Sequence, residues 1–485
     1  MKILFVTPEL YPFARAGGLA DVSYHLPRTL ADRGHQLSII TPKYRSAEEA
    51  GLPLVNPGRT IPVPISYRER TAHLFTSRFE DGVDVIFVGC DDLYGRLGLY
   101  GNEFGDYEDN AERFIFFSRA VMEFIRVLGL EPDIIHCHDW PSGLVPIYVR
   151  TLYRNLPNLR QTATIFTFHN LGSQGIFWHY DYALTGLGWD LFTPDRLEFH
   201  NQMNLTKAGL IGADLISTVS RNYAREVLTP EYGFGLEGVL QARQAETYAV
   251  LNGVDYEAWD PARDPHLAQR YDADHLHLKA VCRRDLGRTF GLDQDERPIV
   301  AVVSRLLDRK GLDLISASLE SILELPLKLV FMGRGEERYH YLLSELSRNN
   351  PGRVGALISY DQTLVNRIMA GADIFLMPSR YEPCGLEQLY AMKYGTIPVV
   401  RATGGLDDTV IDVTENPESG TGFKFYEYSP EALRLALAAA TDMHGRREDW
   451  TAMMRRGMAG DFSWAKSAAE YEEIYRLALA KVDRA

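Results

Sequence analysis

The sequence predicts an α/β protein built on two parallel sheets, and three observations carry that expectation. Short apolar runs alternate with amphipathic helical stretches along the whole chain, the pattern of strands joined by crossover helices. The runs fall into two series, separated by a polar stretch at 260–285 rich in Asp, His and Arg. A chain of 485 residues also exceeds what one hydrophobic core organises, so at least two domains are expected.

Residues 2–7 read as the first strand, 19–33 as a helix closed by Gly34, and 36–41 as the second strand. A β-hairpin excursion follows, with arms at 67–78 and 83–88, and then strands at 133–137, 163–168 and 214–219. The second series is read from 248–251 through 299–304, 327–332, 374–377 and 398–400. The Asn252-Gly253 turn reads as a hinge, which puts the domain boundary near 243–255. A last helix over 463–481 carries the aromatic anchors Trp464, Tyr471 and Tyr475.

Composition narrows the function. With 46% hydrophobic and 24% charged residues the chain has the balance of a soluble globular protein. A net charge of -14 argues against nucleic acid and against an anionic membrane surface as partners. An anionic ligand would therefore need locally clustered cations. Cys90, Cys137, Cys282 and Cys384 stand far apart without metal-ligand spacing, as reduced cysteines of a cytoplasmic protein do. The apolar run at 3–6 is too short for a signal peptide, and no run is long enough to span a membrane.

Five constellations carry chemistry, each at the expected carboxyl end of a strand, where α/β sheets bind ligands. The densest is the stretch 378–388, which places Glu382 and the backbone N–H groups around Cys384, Gly385 and Leu386 before a helix. A carboxylate with several N–H donors suits a ligand rich in hydroxyls. Arg15, Gly17 and Gly18, followed by Asp21, lie between the first strand and first helix. Two glycines, a helix N-terminus and a guanidinium there suit a pyrophosphate. Arg305 and Lys310 follow the strand at 299–304, two cations in an acidic protein. His136 and His138 alternate on a strand that ends in Asp139, and His169 with Asn170 ends the next one. No further ligand has metal spacing, so no metal is expected and Asp139 reads as a crevice carboxylate. Thr403 with Gly404 forms another glycine turn, and Tyr107 and Tyr360 are candidate stacking rings.

Together these blocks resemble the bacterial glycogen synthase and plant starch synthase family of retaining glucosyltransferases, over essentially the whole chain and in the family's order. The landmarks are RAGGLADV at 15–22, HCHDW at 136–140, TFHNLGSQG at 167–175 and LNGVD at 251–255. VSRLLDRKGLDL at 303–314, PSRYEPCGLEQLYAMKYG from 378 to 395 and TGGLDDTV at 403–410 complete them. The resemblance implies a GT-B fold, with two Rossmann-like domains facing across a cleft. It implies domains at 1–245 and 246–462, the helix 463–485 packing back on the first.

Carried over by position, the resemblance assigns Gly18, Arg305 and Lys310 to the donor diphosphate, and implies the same for Arg15 and Gly17. Asp21, Asp139, Asn170 and Asn252 would lie around the donor glucose and acceptor, with His169 beside the transferred glucose. Glu382 and the N–H groups of Cys384, Gly385 and Leu386 would hold sugar hydroxyls, with Thr403 and Gly404 on the donor side. Tyr360 would meet the adenine side and Tyr107 the sugar or acceptor. The implied reaction moves α-glucose from ADP-glucose to the nonreducing 4-hydroxyl of an α-1,4-glucan with retention, without cofactor or metal. Two departures are visible. The family's first motif opens with Lys, whereas position 15 is Arg, a cation of different geometry. Broader relatives carry Glu-x7-Glu, whereas Tyr390 stands eight residues after Glu382, as in the glycogen and starch synthase branch. UDP-glucose as donor and a catalytically silent glucan-binding homologue remain the alternatives. A glucan phosphorylase is disfavoured because no lysine motif for pyridoxal phosphate is recognisable.

Overall fold

The computed structural model describes residues 1–482. The chain divides into two compact units, Met1–Gly253 with the chain from Trp464 on, and Val254–Ser463. Among the described residues no helix is long and apolar enough to cross a membrane. All four cysteines are free and buried.

The first unit is built on a nine-stranded sheet. Its strands are β1 (Lys2–Val6), β2 (Gln36–Pro42), β3 (Thr60–Ile65), β4 (Arg68–Arg78), β5 (Asp84–Gly89), β6 (Ile134–His138), β7 (Ala163–Thr167), β8 (Leu215–Thr218) and β9 (Thr247–Ala249). Their order across the sheet is β9-β8-β7-β6-β1-β2-β5-β4-β3. All neighbours are parallel except β3 with β4 and β4 with β5. Central strands of such a sheet are covered on both faces, which is why 3–6 is a continuous apolar run, each residue at most 2% exposed. The antiparallel β4–β5 pair is the hairpin read from the sequence. Pro62 and Pro64 break the pattern of β3 and hide it from a sequence reading; prolines are tolerated there because β3 is the sheet edge.

One expectation is corrected. The run read as opening the second series is β9, and it pairs in parallel with β8 through Ile216 and Thr247. It therefore closes the first sheet. A local apolar pattern marks a strand without marking which sheet edge receives it.

The helix Trp464–Val482 belongs to this first unit, where Trp464, Ala468, Tyr471, Ile474, Tyr475 and Ala478 join the core of the sheet. Polar contacts fix its register. Glu472 accepts two hydrogen bonds of 2.8 Å from Arg33 and one of 3.0 Å from His35. The Arg33 guanidinium holds the Glu472 carboxyl down at about 2. The Tyr475 hydroxyl meets His136 Nδ1 at 2.9 Å.

The second unit is a six-stranded, wholly parallel sheet. Its strands are β10 (Ile299–Val303), β11 (Lys328–Met332), β12 (Val354–Leu357), β13 (Ile374–Met377), β14 (Ile397–Arg401) and β15 (Phe423–Phe425). They lie in the order β12-β11-β10-β13-β14-β15. β12 and β15 escape a sequence reading because Gly355 and Lys424 interrupt their short apolar runs, VGAL and FKF.

Both sheets reverse direction of winding once. The first goes outward from β1 through β2 in one direction and from β6 in the other, so its switch point lies between β1 and β6. The second reverses between β10 and β13. Open α/β sheets bind ligands beyond the strand ends at such points. Most of the loops singled out from the sequence follow these four strands; those of His169 and Thr403 follow the neighbouring β7 and β14.

Candidate active site

In the first unit the loop after β1 folds around a residue the sequence reading passed over. Glu9 is only 6% exposed, and its Oε2 accepts from the N–H groups of Ala16 at 2.9 Å and Gly17 at 2.8 Å. Its Oε1 accepts from the Tyr100 hydroxyl at 3.0 Å. The Gly17 N–H, expected to face a diphosphate, is thus engaged by a carboxylate of the protein. The signal was present: Glu9 is a carboxylate just past a strand end, the logic that singled out Asp139. Arg15 pairs with Asp21 at 2.9 Å, so these two predicted residues come together. Burial raises the Asp21 carboxyl, against the pull of Arg15.

Gly18 precedes the helix Leu19–Asp32 with φ -68° and ψ -16°, a conformation open to any residue. A Cβ built on Gly17 or Gly18 would meet nothing within 4 Å. Neither glycine is required by the protein's own packing.

Across the switch point, β6 delivers Asp139 and β7 delivers His169. Asp139 has φ 53° and ψ 175°, a strained backbone for a non-glycine residue. Its Oδ1 accepts the His169 N–H at 2.7 Å. Burial pushes the Asp139 carboxyl up to about 7, against the N–H groups of His169 and Asn170, and the Glu9 charge adds to the rise. His169 Nε2 lies 3.0 Å from His138 Nδ1, and burial drops the His169 imidazole to about 3, so it is neutral at pH 7. His136 is bound by Thr167 at 2.6 Å and by Tyr475. The alternating histidines thus serve hydrogen-bond networks, and among the described residues no group of three or more His, Cys, Asp and Glu is placed for a metal ion.

Asp139 carries a pH prediction. For a carboxyl whose folded value is raised, the favourable contribution is complete below the unfolded value, about 4, and is lost as pH rises through about 7. Asp139→Asn should therefore raise the melting temperature relative to wild type more at pH 8 than at pH 5, while turnover falls. Thermal melts at both pH values check this; an equal or smaller gain at pH 8 refutes it.

In the second unit the loops after β10, β11, β13 and β14 interlock. The Arg380 N–H donates to the Arg309 carbonyl at 2.9 Å, and the Leu306 N–H to that of Arg334 at 2.8 Å. The Gly405 N–H donates to the carbonyls of Glu382 and Pro383, both at 3.1 Å. A Cβ on Gly404 would stand 2.0 Å from the Glu382 carbonyl oxygen, and one on Gly405 would stand 1.9 Å from that of Cys384. The glycines at 404 and 405, in the turn read as an opening for ligand, thus admit a neighbouring loop. Thr403 is fully buried beside them.

The interlock brings Lys310 and Glu382 together. Lys310 Nζ lies 2.5 Å from Glu382 Oε2, with the side chains 13% and 9% exposed. Ser379 Oγ, a second partner that sequence reasoning missed, donates to the same oxygen at 3.1 Å. Arg305 follows β10 and is exposed. Cys384 is buried and Gly385 takes φ +69°. The Leu386 N–H, expected for a sugar hydroxyl, donates instead to Glu387 Oε2 at 3.2 Å. Tyr390, at the position of the second glutamate of broader relatives, stacks on Trp259 with ring centres 3.8 Å apart.

The remaining predicted residues are placed less pointedly. Tyr360 is 59% exposed, and its hydroxyl donates to Gln362 at 2.9 Å. Tyr107 donates to the Leu97 carbonyl and has Arg96 and Arg113 each 5.0 Å from its ring, contacts that join its loop to the helix Asn110–Leu128. Asn170 Oδ1 accepts the Gly172 N–H at 3.0 Å, and Asn252 is buried in the first unit.

Comparison with known proteins agrees with this architecture. The family model described as starch synthase catalytic domain matches residues 2–242, and glycosyl transferases group 1 matches residues 288–456. Glycogen synthase of Koribacter versatilis is 45% identical over 99% of this chain and 98% of its own. That of an Anaeromyxobacter species is 46% identical over 98% and 99%. The catalytic domain of starch synthase IV from Arabidopsis thaliana, solved bound to ADP and acarbose, superposes with a TM-score of 0.90 at 31% identity, covering 99% of each chain. Two doubly wound units with charged and glycine-rich switch-point loops define a glycosyltransferase of the GT-B fold. Within that class, the chain belongs to the glycogen synthase and starch synthase family.

Proposed function

We propose that the chain transfers an α-D-glucosyl residue from ADP-glucose to the nonreducing-end 4-hydroxyl of an α-1,4-glucan, with retention, releasing ADP. The observation that carries this reading is the Lys310–Glu382 pair at the second switch point, a cation and a carboxylate held together where a sugar diphosphate would need both. The similarity to glycogen synthases over the full chain supports the reaction, and the ADP bound to the starch synthase relative supports the adenine donor.

As the glycosidic bond opens, negative charge grows on the departing β-phosphate. Lys310 and Arg305, in the second unit, meet that charge in this reading, and the family resemblance assigns Arg15 and Gly18 to the same diphosphate. Such preorganised electrostatics are usually the largest catalytic contribution. Glu382 holds sugar hydroxyls in this reading, and the family resemblance assigns His169, neutral at pH 7, to a place beside the transferred glucose. The acceptor hydroxyl attacks from the face the diphosphate leaves, and a phosphate oxygen takes its proton; the pair of carboxylates of glycosidases is not needed. No metal and no cofactor enters this reading. Buried free thiols suit a reducing compartment, so we place the reaction in the cytoplasm.

The test is transfer by the purified protein from ADP-glucose and from UDP-glucose, each with and without glycogen, and with a chelator. Glucose incorporation from ADP-glucose that needs glycogen and withstands the chelator is expected. Exclusive use of UDP-glucose overturns the donor, and loss of activity with the chelator overturns the metal-free mechanism. Glycogen binding without ADP release would identify a silent glucan-binding homologue.

A further inference from the structure

We propose that Glu9 is a positioning residue that holds the loop at 15–18 in the shape that receives the donor's diphosphate; this rests on the transfer reaction proposed above. Its side chain ties three segments of the first unit together. One oxygen takes the N–H groups of Ala16 and Gly17, and the other takes the Tyr100 hydroxyl. Its backbone is fixed as well. The Thr7 hydroxyl donates to the Glu9 carbonyl at 2.8 Å and lies 2.8 Å from Ser23 Oγ, inside the helix Leu19–Asp32. Thr7 and Ser23 are fully buried. The residue is therefore anchored through its backbone to the strand end and, by way of Thr7, to the helix behind the loop, and through its carboxyl group to the loop itself.

The consequence lies in where the loop can offer donors. Gly17 and Gly18 have room for side chains, so packing alone does not hold this stretch. Flexible glycine would sample many shapes unless something fixed it. Two hydrogen bonds to one oxygen of a side chain that is itself buried and fixed do so. With the N–H groups of Ala16 and Gly17 turned onto Glu9, the phosphate is left to face Gly18 and the first turn of the helix, where the dipole is positive. Glu9 thus acts through the loop and touches no reacting atom.

A split between the two substrates is expected. Glu9→Ala should raise KM for ADP-glucose at least tenfold and weaken ADP binding by calorimetry in proportion, with KM for glycogen within twofold of wild type. Glu9→Gln keeps an oxygen for the loop and an amide toward Tyr100, and should bring the donor KM back to within threefold. Glu9→Asp keeps the charge but draws it back by one methylene, and serves if the alanine variant does not fold; it should show the same split. A donor KM within twofold of wild type, a rise shared equally by glycogen, or a glutamine variant no better than alanine overturns the role. Absent transfer by wild type would reject the proposed reaction, and ADP binding would still judge Glu9. Wild-type transfer with unshifted variants rejects Glu9 alone.

Discussion

Lys310→Met is expected to lower turnover by about 10²–10³, the usual effect of removing one preorganised donor from a developing anion, or about 3–4 kcal/mol of transition-state stabilisation. It should also destabilise the fold. Lys310 and Glu382 are 13% and 9% exposed, so removing the cation strands a nearly buried carboxylate. Breaking such a pair costs about 3–5 kcal/mol when fully buried, and the lower end applies here. The double variant Lys310→Met with Glu382→Gln should recover much of the stability, because no unpaired charge remains, and none of the turnover. Denaturant unfolding and single-turnover assays on the three proteins separate the two effects. Near-normal turnover in Lys310→Met would refute the role of the pair, and a double variant no more stable than the single would refute the electrostatic account of its folding cost.

The second large effect divides glycines that look alike in sequence. Gly405→Ala would place its Cβ 1.9 Å from the Cys384 carbonyl oxygen, a backbone atom that cannot rotate away. The loops must part, at about 1–3 kcal/mol of stability. Glu382 and Lys310 then separate as well, because the Gly405 N–H is bonded to the Glu382 carbonyl. A displacement of about 1 Å at a reacting centre costs about 10²-fold in rate. Gly18→Ala meets no neighbour and needs no unusual backbone, so its melting temperature should stay within about two degrees of wild type. Its donor KM should nevertheless rise severalfold, because the added methyl occupies the approach to the helix start. Should Gly405→Ala fold and turn over normally, or Gly18→Ala leave the donor KM unchanged, the distinction fails.

These two glycine turns show how far the sequence can be read. Both follow an apolar strand and precede a helix, so both are expected at ligand-binding strand ends. That expectation comes from local pattern, since apolar runs, glycines and charges at strand ends are all set by neighbours in the chain. The same local logic marks Arg15, Asp139, His169, Arg305, Lys310 and Glu382, and reads the alternation as an α/β protein. It does not mark Glu9, whose partners Ala16, Gly17 and Tyr100 are fixed by the fold.

By itself the sequence determined the α/β class, the strand ends and the charged and glycine residues at each, because these follow from short-range periodicity and residue chemistry. Family resemblance, carried by the same motifs, supplied the reaction. Only the tertiary structure decided that β9 closes the first sheet and that Gly17 turns its N–H onto Glu9. It also decided that Gly404 and Gly405 admit a neighbouring loop and that Lys310 lies on Glu382. The last pairing spans 72 residues of chain. Such contacts depend on which strand edges meet and how closely loops from different strands pack, and no window of sequence contains both partners.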